Sequence, residues 1–146
     1  SMVERDAEQS VIPFCMENNI GFVSFSPIAS GLLSGKITTA TKFERRDDVR
    51  NWVPQLSPRN IQGNQPIIDI LREYASKKQA TPAQISLAWM LHKYPNVVPI
   101  PGSKNKERIV ENLDAAQVDL TDLEFAELED ALAQCRIYGH RGFYGF

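Results

Sequence analysis

Cysteine and histidine are scarce in this sequence, with Cys15, Cys135, His92 and His140 as their only representatives. The two cysteines lie far apart, each among apolar residues of helical periodicity, so buried free thiols are expected rather than a disulfide. Neither histidine has a cysteine or carboxylate at ligand spacing, and no metal site is expected. An excess of charge is lacking too. Sixteen Lys and Arg against 18 Asp and Glu leave a net charge of -2, with no long basic run. That balance provides no field to gather nucleic acid or anionic lipid, so neither is an expected partner. No stretch approaches the ~20 apolar residues of a membrane span, and the first residues show no basic-then-apolar leader. A cytoplasmic setting is the expectation. A catalytic constellation is missing as well: carboxylates are scattered and no nucleophile elbow occurs. Tyr74, Tyr94, Tyr138 and Tyr144 fall on helices or the tail rather than at strand ends, and His92 at a helix end suits carbonyl capping.

What is present is the material of one α/β domain: 146 residues, 42% hydrophobic and 23% charged. Val11, Ile12, Cys15 and Met16 predict a helix over 7–19, followed by a strand from Gly21 to Ser26 that Pro27 stops. Residues 29–63 show little periodicity, carry Pro54 and Pro58, and read as a long lid-like loop. A helix resumes near Gln65. The next opens on Thr81 as N-cap, with Pro82 at its first position and Gln84 completing a capping box. Asn96–Ile100 reads as a second strand, parallel to the first across a right-handed crossover. A helix then opens near Asn105 with Ile109, Val110 and Leu113 expected inward. Thr121 and Glu124 box the start of a last helix to Arg136, and 137–146 is a glycine- and aromatic-rich tail.

Two segments follow the strands, where α/β folds place ligands. The first, FSPIASGLLSGK from Phe25 to Lys36, is rich in small residues and hydroxyls. Its Gly31–Gly35 spacing rules out a Walker loop, and an ordinary surface turn fits it equally. The second, Pro101-Gly102-Ser103-Lys104, opens a helix. Gly102 permits close backbone approach, Ser103 offers a hydroxyl, and Lys104, Lys106 and Arg108 crowd the positive end of the helix dipole. That arrangement predicts a bound anion, a phosphate in particular, with a solvated basic turn as the alternative. Arg45, Arg46, Asp47 and Asp48 read as a solvated run, with one arginine available to a phosphate.

Together, GFVSFSPIASGLLSGK and, some seventy residues on, VVPIPGSKNKERIVENL resemble the aldo-keto reductases over nearly the whole chain. The resemblance implies a (β/α)8 TIM-barrel type of α/β fold. Only its C-terminal part, strands seven and eight with their helices, would be present in 1–146. It implies NADP(H) as cofactor and reduction of aldehydes or ketones. Phe25 would flank the nicotinamide, Ser26, Pro27, Ile28, Ala29 and Ser30 would line the pyrophosphate, and Lys36 would reach a phosphate. Gly102, Ser103, Lys104 and Arg108 would surround the 2′-phosphate, Glu111 and Asn112 would meet the adenine, and Arg46 matches a lid arginine loosely. The family's catalytic Asp, Tyr, Lys and His belong to the first half of the barrel, so no residue here inherits those roles.

Two strands cannot close a barrel, and their edges invite pairing. The expected partners are therefore the missing N-terminal half of the barrel or further copies of the chain joined through sheet edges, with a small carbonyl substrate in the complete enzyme. The alternative function is a non-catalytic truncated module with weak nucleotide binding or an assembly role. A third reading is a helical interaction domain. Trp52, Tyr138, Phe143, Tyr144 and Phe146 are candidates for a substrate pocket or for interface packing.

Overall fold

The computed structural model describes residues 1–142; Phe143, Tyr144 and Phe146 lie outside the described residues. A 3-10 turn at Asp6–Glu8 precedes α1 (Val11–Glu17), which is shorter than the periodicity predicts, with Ile12 and Cys15 buried and Val11 and Met16 exposed. Strand β1 is Phe22–Phe25. After the loop region come α2 (Pro58–Gly63), α3 (Gln65–Lys78), α4 (Pro82–Lys93), β2 (Val97–Ile100), α5 (Lys106–Asp114) and α6 (Asp122–Ala133). β1 and β2 pair in parallel, Phe22 opposite Val97 and Phe25 opposite Ile100, which excludes a purely helical domain. Pro99 has no N–H to donate, as suits a strand that among the described residues has a neighbour on one side only.

The core lies between one face of this sheet and the helices. Helix α4 is its centre, with Ile85, Leu87, Ala88, Trp89 and Met90 buried against Ile67, Ile68 and Leu71 of α3. Both capping boxes form: the Thr81 hydroxyl accepts the Gln84 N–H and the Gln84 side chain accepts the Thr81 N–H, and Thr121 and Glu124 repeat the exchange. Residues 29–63 carry more structure than a loop. They hold 3-10 turns at Ala29–Ser34, Val49–Trp52 and Pro54–Leu56 as well as α2. Leu32, Leu33, Val53, Leu56 and Ile61 enter the core, so the segment is pinned at both ends.

Helix α5 departs from expectation. Ile109, Val110 and Leu113 are 44%, 48% and 70% exposed, and no residue of α5 is buried. The helix is held mainly through α4 and the turn after it, and a sheet two strands wide leaves its apolar stripe uncovered. The sheet is bare on its other face for the same reason, with Val23, Phe25, Val98 and Ile100 all more than half exposed.

The N-terminal stretch is tied down by charge. Arg5 Nη2 contacts Glu8 at 2.8 Å and Glu129 at 3.0 Å. Lys93 Nζ contacts Glu8 at 3.1 Å and also bonds Glu129. Trp89, buried in α4, donates its indole N–H to Glu129 at 2.7 Å, while Arg5 and Lys93 lie within about 5 Å of its ring. The cysteines are free thiols, Cys15 buried and Cys135 half-buried.

Candidate functional site at the strand ends

The register Phe25 opposite Ile100 brings the loops after β1 and β2 out side by side at the carboxyl edge of the sheet. In the first loop the backbone turns back on itself. Ser26, Ala29 and Ser30 have φ of 48°, 49° and 55°, and Gly31 and Gly35 follow at 99° and 68°. Left-handed conformations in L residues cost on the order of 1 kcal/mol each and persist only where surroundings impose them. Here Ala29, Leu32 and Leu33, almost fully buried, impose them. The turn is closed internally. The Ala29 N–H donates to the Ser26 carbonyl, the Ser30 N–H to Ser26 Oγ at 3.2 Å, and the Gly31 N–H to the Ile28 carbonyl.

The second loop is open. No heavy atom lies within 4 Å of where a Cβ on Gly102 would stand. Ser103 Oγ accepts the Asn105 N–H at 3.1 Å, and Asn105 Oδ1 accepts the Arg108 N–H at 2.9 Å, so the first turn of α5 is capped by its own side chains. Lys104, Lys106 and Arg108 are exposed and make no ion pair among the described residues.

The end of the first segment reaches α5: Lys36 Nζ lies 3.8 Å from Glu111 Oε2. Glu111 is engaged a second time, accepting the Thr81 hydroxyl at 2.8 Å, and its carbonyl accepts from Gln84 Nε2 at 2.9 Å. Helix α5 is thereby fastened to the N-cap of α4. Asn112 is half-buried beside Glu111. Arg46 stands exposed in the surface part of the 29–63 segment, away from these contacts. Its neighbours pair locally, Arg45 with Asp47 and Arg50 with Asp48, and the Arg50 hydrogen bonds hold the Asp48 carboxyl down at about 2. Trp52 is exposed.

Sequence reasoning missed one residue at this edge. The Arg141 guanidinium lies 4.4 Å from the centroid of the Phe25 ring, a placement with no sequence signal beyond the glycine at 139. His92, by contrast, stacks on Phe125 and meets Asp122 at 3.2 Å, remote from both loops. Two surface clefts also lie elsewhere, between α4 and the turn after α5, one lined by Ala88, His92 and Leu120 and the other by Lys78, Gln84 and Gln117. Among the described residues no group of three His, Cys, Asp or Glu is placed to hold a metal ion, and no helix is long and apolar enough to cross a membrane.

The model of the aldo/keto reductase family matches residues 1–133. Over 150 aligned residues the chain is 31% identical to a probable aldo-keto reductase of Glycine max, covering 99% of this chain and 41% of that protein. A crystal structure of a thermostable aldo-keto reductase in complex with the inhibitor epalrestat superposes with a TM-score of 0.59 at 27% identity, over 89% of this chain and 36% of the other. A glycerol dehydrogenase from Gluconobacter oxydans gives a TM-score of 0.80 at 23% identity, over 99% of this chain and 44% of the other, and shows the shared fold. The chain thus spans about two fifths of the length of these relatives, whose family is of the TIM-barrel type.

Proposed function

The chain belongs to the aldo/keto reductase family, and from that premise we propose that it forms the cofactor-holding part of an NADP(H)-dependent oxidoreductase that reduces aldehydes or ketones. In this reading β1 and β2 are strands seven and eight of the barrel. The observation that carries it is the parallel register, which sets the left-handed loop after Phe25 beside the cationic loop after Ile100. A dinucleotide needs a tight turn for its pyrophosphate and a separate cationic helix start for a phosphomonoester.

The residues present fit the group. Gly102 leaves space for close approach, and Lys104 and Arg108 are cations without carboxylate partners among the described residues. Ser26 and Ser30 keep hydroxyls at the first loop, and Phe25 offers an exposed ring to a planar partner. Lys36 meets Glu111 of α5, and Asn112 follows it on the same helix. When bound, NADPH supplies the hydride. This chain's residues bind and orient it, and the proton for the carbonyl oxygen comes from residues outside the chain. The rest of the barrel is then the partner that covers the bare sheet face.

The test is a fluorescence titration of the chain with NADPH and with NADH. NADPH should bind more tightly, and the double variant Lys104→Ala, Arg108→Ala should erase the difference, each charge-assisted contact to the 2′-phosphate being worth about tenfold. Equal binding of both nucleotides, or none of NADPH, refutes the reading. Carbonyl-dependent NADPH oxidation should require the missing barrel segment to be added. Turnover by this chain alone would show that the proton donor lies within it.

A further inference from the structure

Glu111 is held more firmly than a side chain on a solvated helix needs. Its Oε1 accepts the Thr81 hydroxyl at 2.8 Å, and its backbone carbonyl accepts from Gln84 Nε2 at 2.9 Å. Both donors belong to the capping box that opens α4, where the Thr81 hydroxyl accepts the Gln84 N–H and Gln84 Oε1 accepts the Thr81 N–H at 2.9 Å. A hydroxyl has lone pairs to accept with and one proton to give. At Thr81 the lone pairs serve the helix cap and the proton serves Glu111. The direction of the carboxylate is therefore set from α4, by a residue outside both strand-end segments.

The other oxygen of Glu111 is spare. Lys36 Nζ stands 3.8 Å from Oε2, beyond hydrogen-bond reach, and the Glu111 side chain keeps 22% of its surface exposed. Arg108, also exposed, stands three residues earlier on α5, so the two side chains are neighbours on one face of the helix. An ionised carboxylate only accepts hydrogen bonds. A ligand whose phosphate sits on Lys104 and Arg108 therefore meets, one helical turn on, an acceptor of fixed direction. On an adenine dinucleotide the ribose hydroxyls adjoin the phosphates, whereas the amino group is a donor at the far end of the base. We propose that Thr81 is a positioning residue for this site: its hydroxyl fixes Glu111 so that the second carboxylate oxygen takes the amino group of an adenine base and refuses a base with a carbonyl in that place. That the ligand is an adenine dinucleotide rests on the cofactor reading, whereas the hold of Thr81 on Glu111 does not.

Fluorescence titration of the chain with NADPH and with its hypoxanthine analogue, in which a carbonyl replaces the amino group, tests it. NADPH should bind about tenfold more tightly, the worth of one charge-assisted hydrogen bond. Glycine serves an N-cap nearly as well as threonine but has no hydroxyl. Thr81→Gly should therefore bring the ratio close to one in a chain whose helical circular dichroism is unchanged, and Thr81→Ser, which keeps the hydroxyl, should preserve it. In a Glu111→Ala background, where the ratio is already lost, Thr81→Gly should change it no further. A merely structural cap would weaken both nucleotides together and leave the ratio intact. That result, or a ratio near one in the unaltered chain, or an effect of Thr81→Gly on the ratio that persists without Glu111, overturns the proposal. Failure to bind NADPH at all would sink the cofactor reading and this role with it, whereas tight binding without discrimination between the two bases sinks this role alone.

Discussion

Replacing Glu129 by alanine removes the acceptor shared by three donors. Trp89, 1% exposed, loses the partner of its indole N–H, and Arg5 and Lys93 are left with Glu8 alone. A buried donor without an acceptor costs about 1–3 kcal/mol. Breaking a fully buried ion pair costs about 3–5 kcal/mol, and the Glu129 side chain, 23% exposed, keeps some water, so that figure is an upper bound here. A total of about 3 kcal/mol is expected, a large fraction of the roughly 5–15 kcal/mol typical of a domain. Urea unfolding followed by Trp fluorescence should show the midpoint falling with the slope unchanged. Glu129→Gln, which keeps an oxygen for the indole but no charge, should lose about half as much. The cluster also sets a pH dependence. Burial pushes the Glu8 and Glu129 carboxyls up, but hydrogen bonds from Arg5 and Lys93, joined at Glu129 by Trp89, outweigh it and hold both below the ordinary range. Carboxyls depressed on folding stabilise fully above their unfolded value, about 4.3 for Glu, and lose that contribution as pH falls through the folded value. Wild-type stability should therefore drop below about pH 4, and Glu129→Ala should flatten that limb. A Glu129→Ala protein within about 0.5 kcal/mol of wild type at pH 7, a typical surface effect, would refute the reasoning.

Thr81→Ala deletes the N-cap of α4 and the hydroxyl bonded to Glu111, and should cost about 1–2 kcal/mol in urea unfolding, with Thr81→Ser recovering most of it. The bare sheet face of Val23, Phe25, Val98 and Ile100 should bind a hydrophobic dye and drive concentration-dependent association in sedimentation; Val98→Lys should reduce both, and a dye-silent monomer would contradict the exposed face. Gly139→Ala, whose Cβ would stand 2.6 Å from Asn60 Nδ2, should speed amide exchange at Tyr138 and Arg141 and leave that of α4 unchanged.

The legible parts of this fold were those written in short-range chemistry. Thr81 with Gln84 and Thr121 with Glu124 announce helix starts within four residues, and Pro27 and Pro95 bound the strands. The parallel pairing followed from apolar runs at 22–25 and 97–100 separated by helices. Periodicity misled at α5, where the stripe of Ile109, Val110 and Leu113 is present but nothing among the described residues covers it. Residues 29–63 read as loop because Leu32, Leu33, Leu56 and Ile61 are too irregularly spaced to show a period, yet each is buried by contacts distant in sequence. The left-handed turn at Ser26, Ala29 and Ser30 has no glycine or asparagine at those positions to betray it. The Arg5–Glu129 contact joins residues 124 positions apart, and Arg141 reaches Phe25 through a tail that Asn64 holds by two hydrogen bonds to the Tyr138 backbone; neither has a local signature.

The pairing of β1 with β2 also orders events in time. β1 is complete once residue 25 has been synthesised, but its partner does not exist until residue 100 has followed. Closing a loop of that length costs about 4 kcal/mol of chain entropy before any ladder bond rewards it. Helices α3 and α4 adjoin in sequence and need no such closure, so they should dock first and serve as the template on which the strands meet. During that interval Phe22–Phe25 is an unpaired apolar strand, the stage at which a nascent chain is most exposed to mispairing with its neighbours.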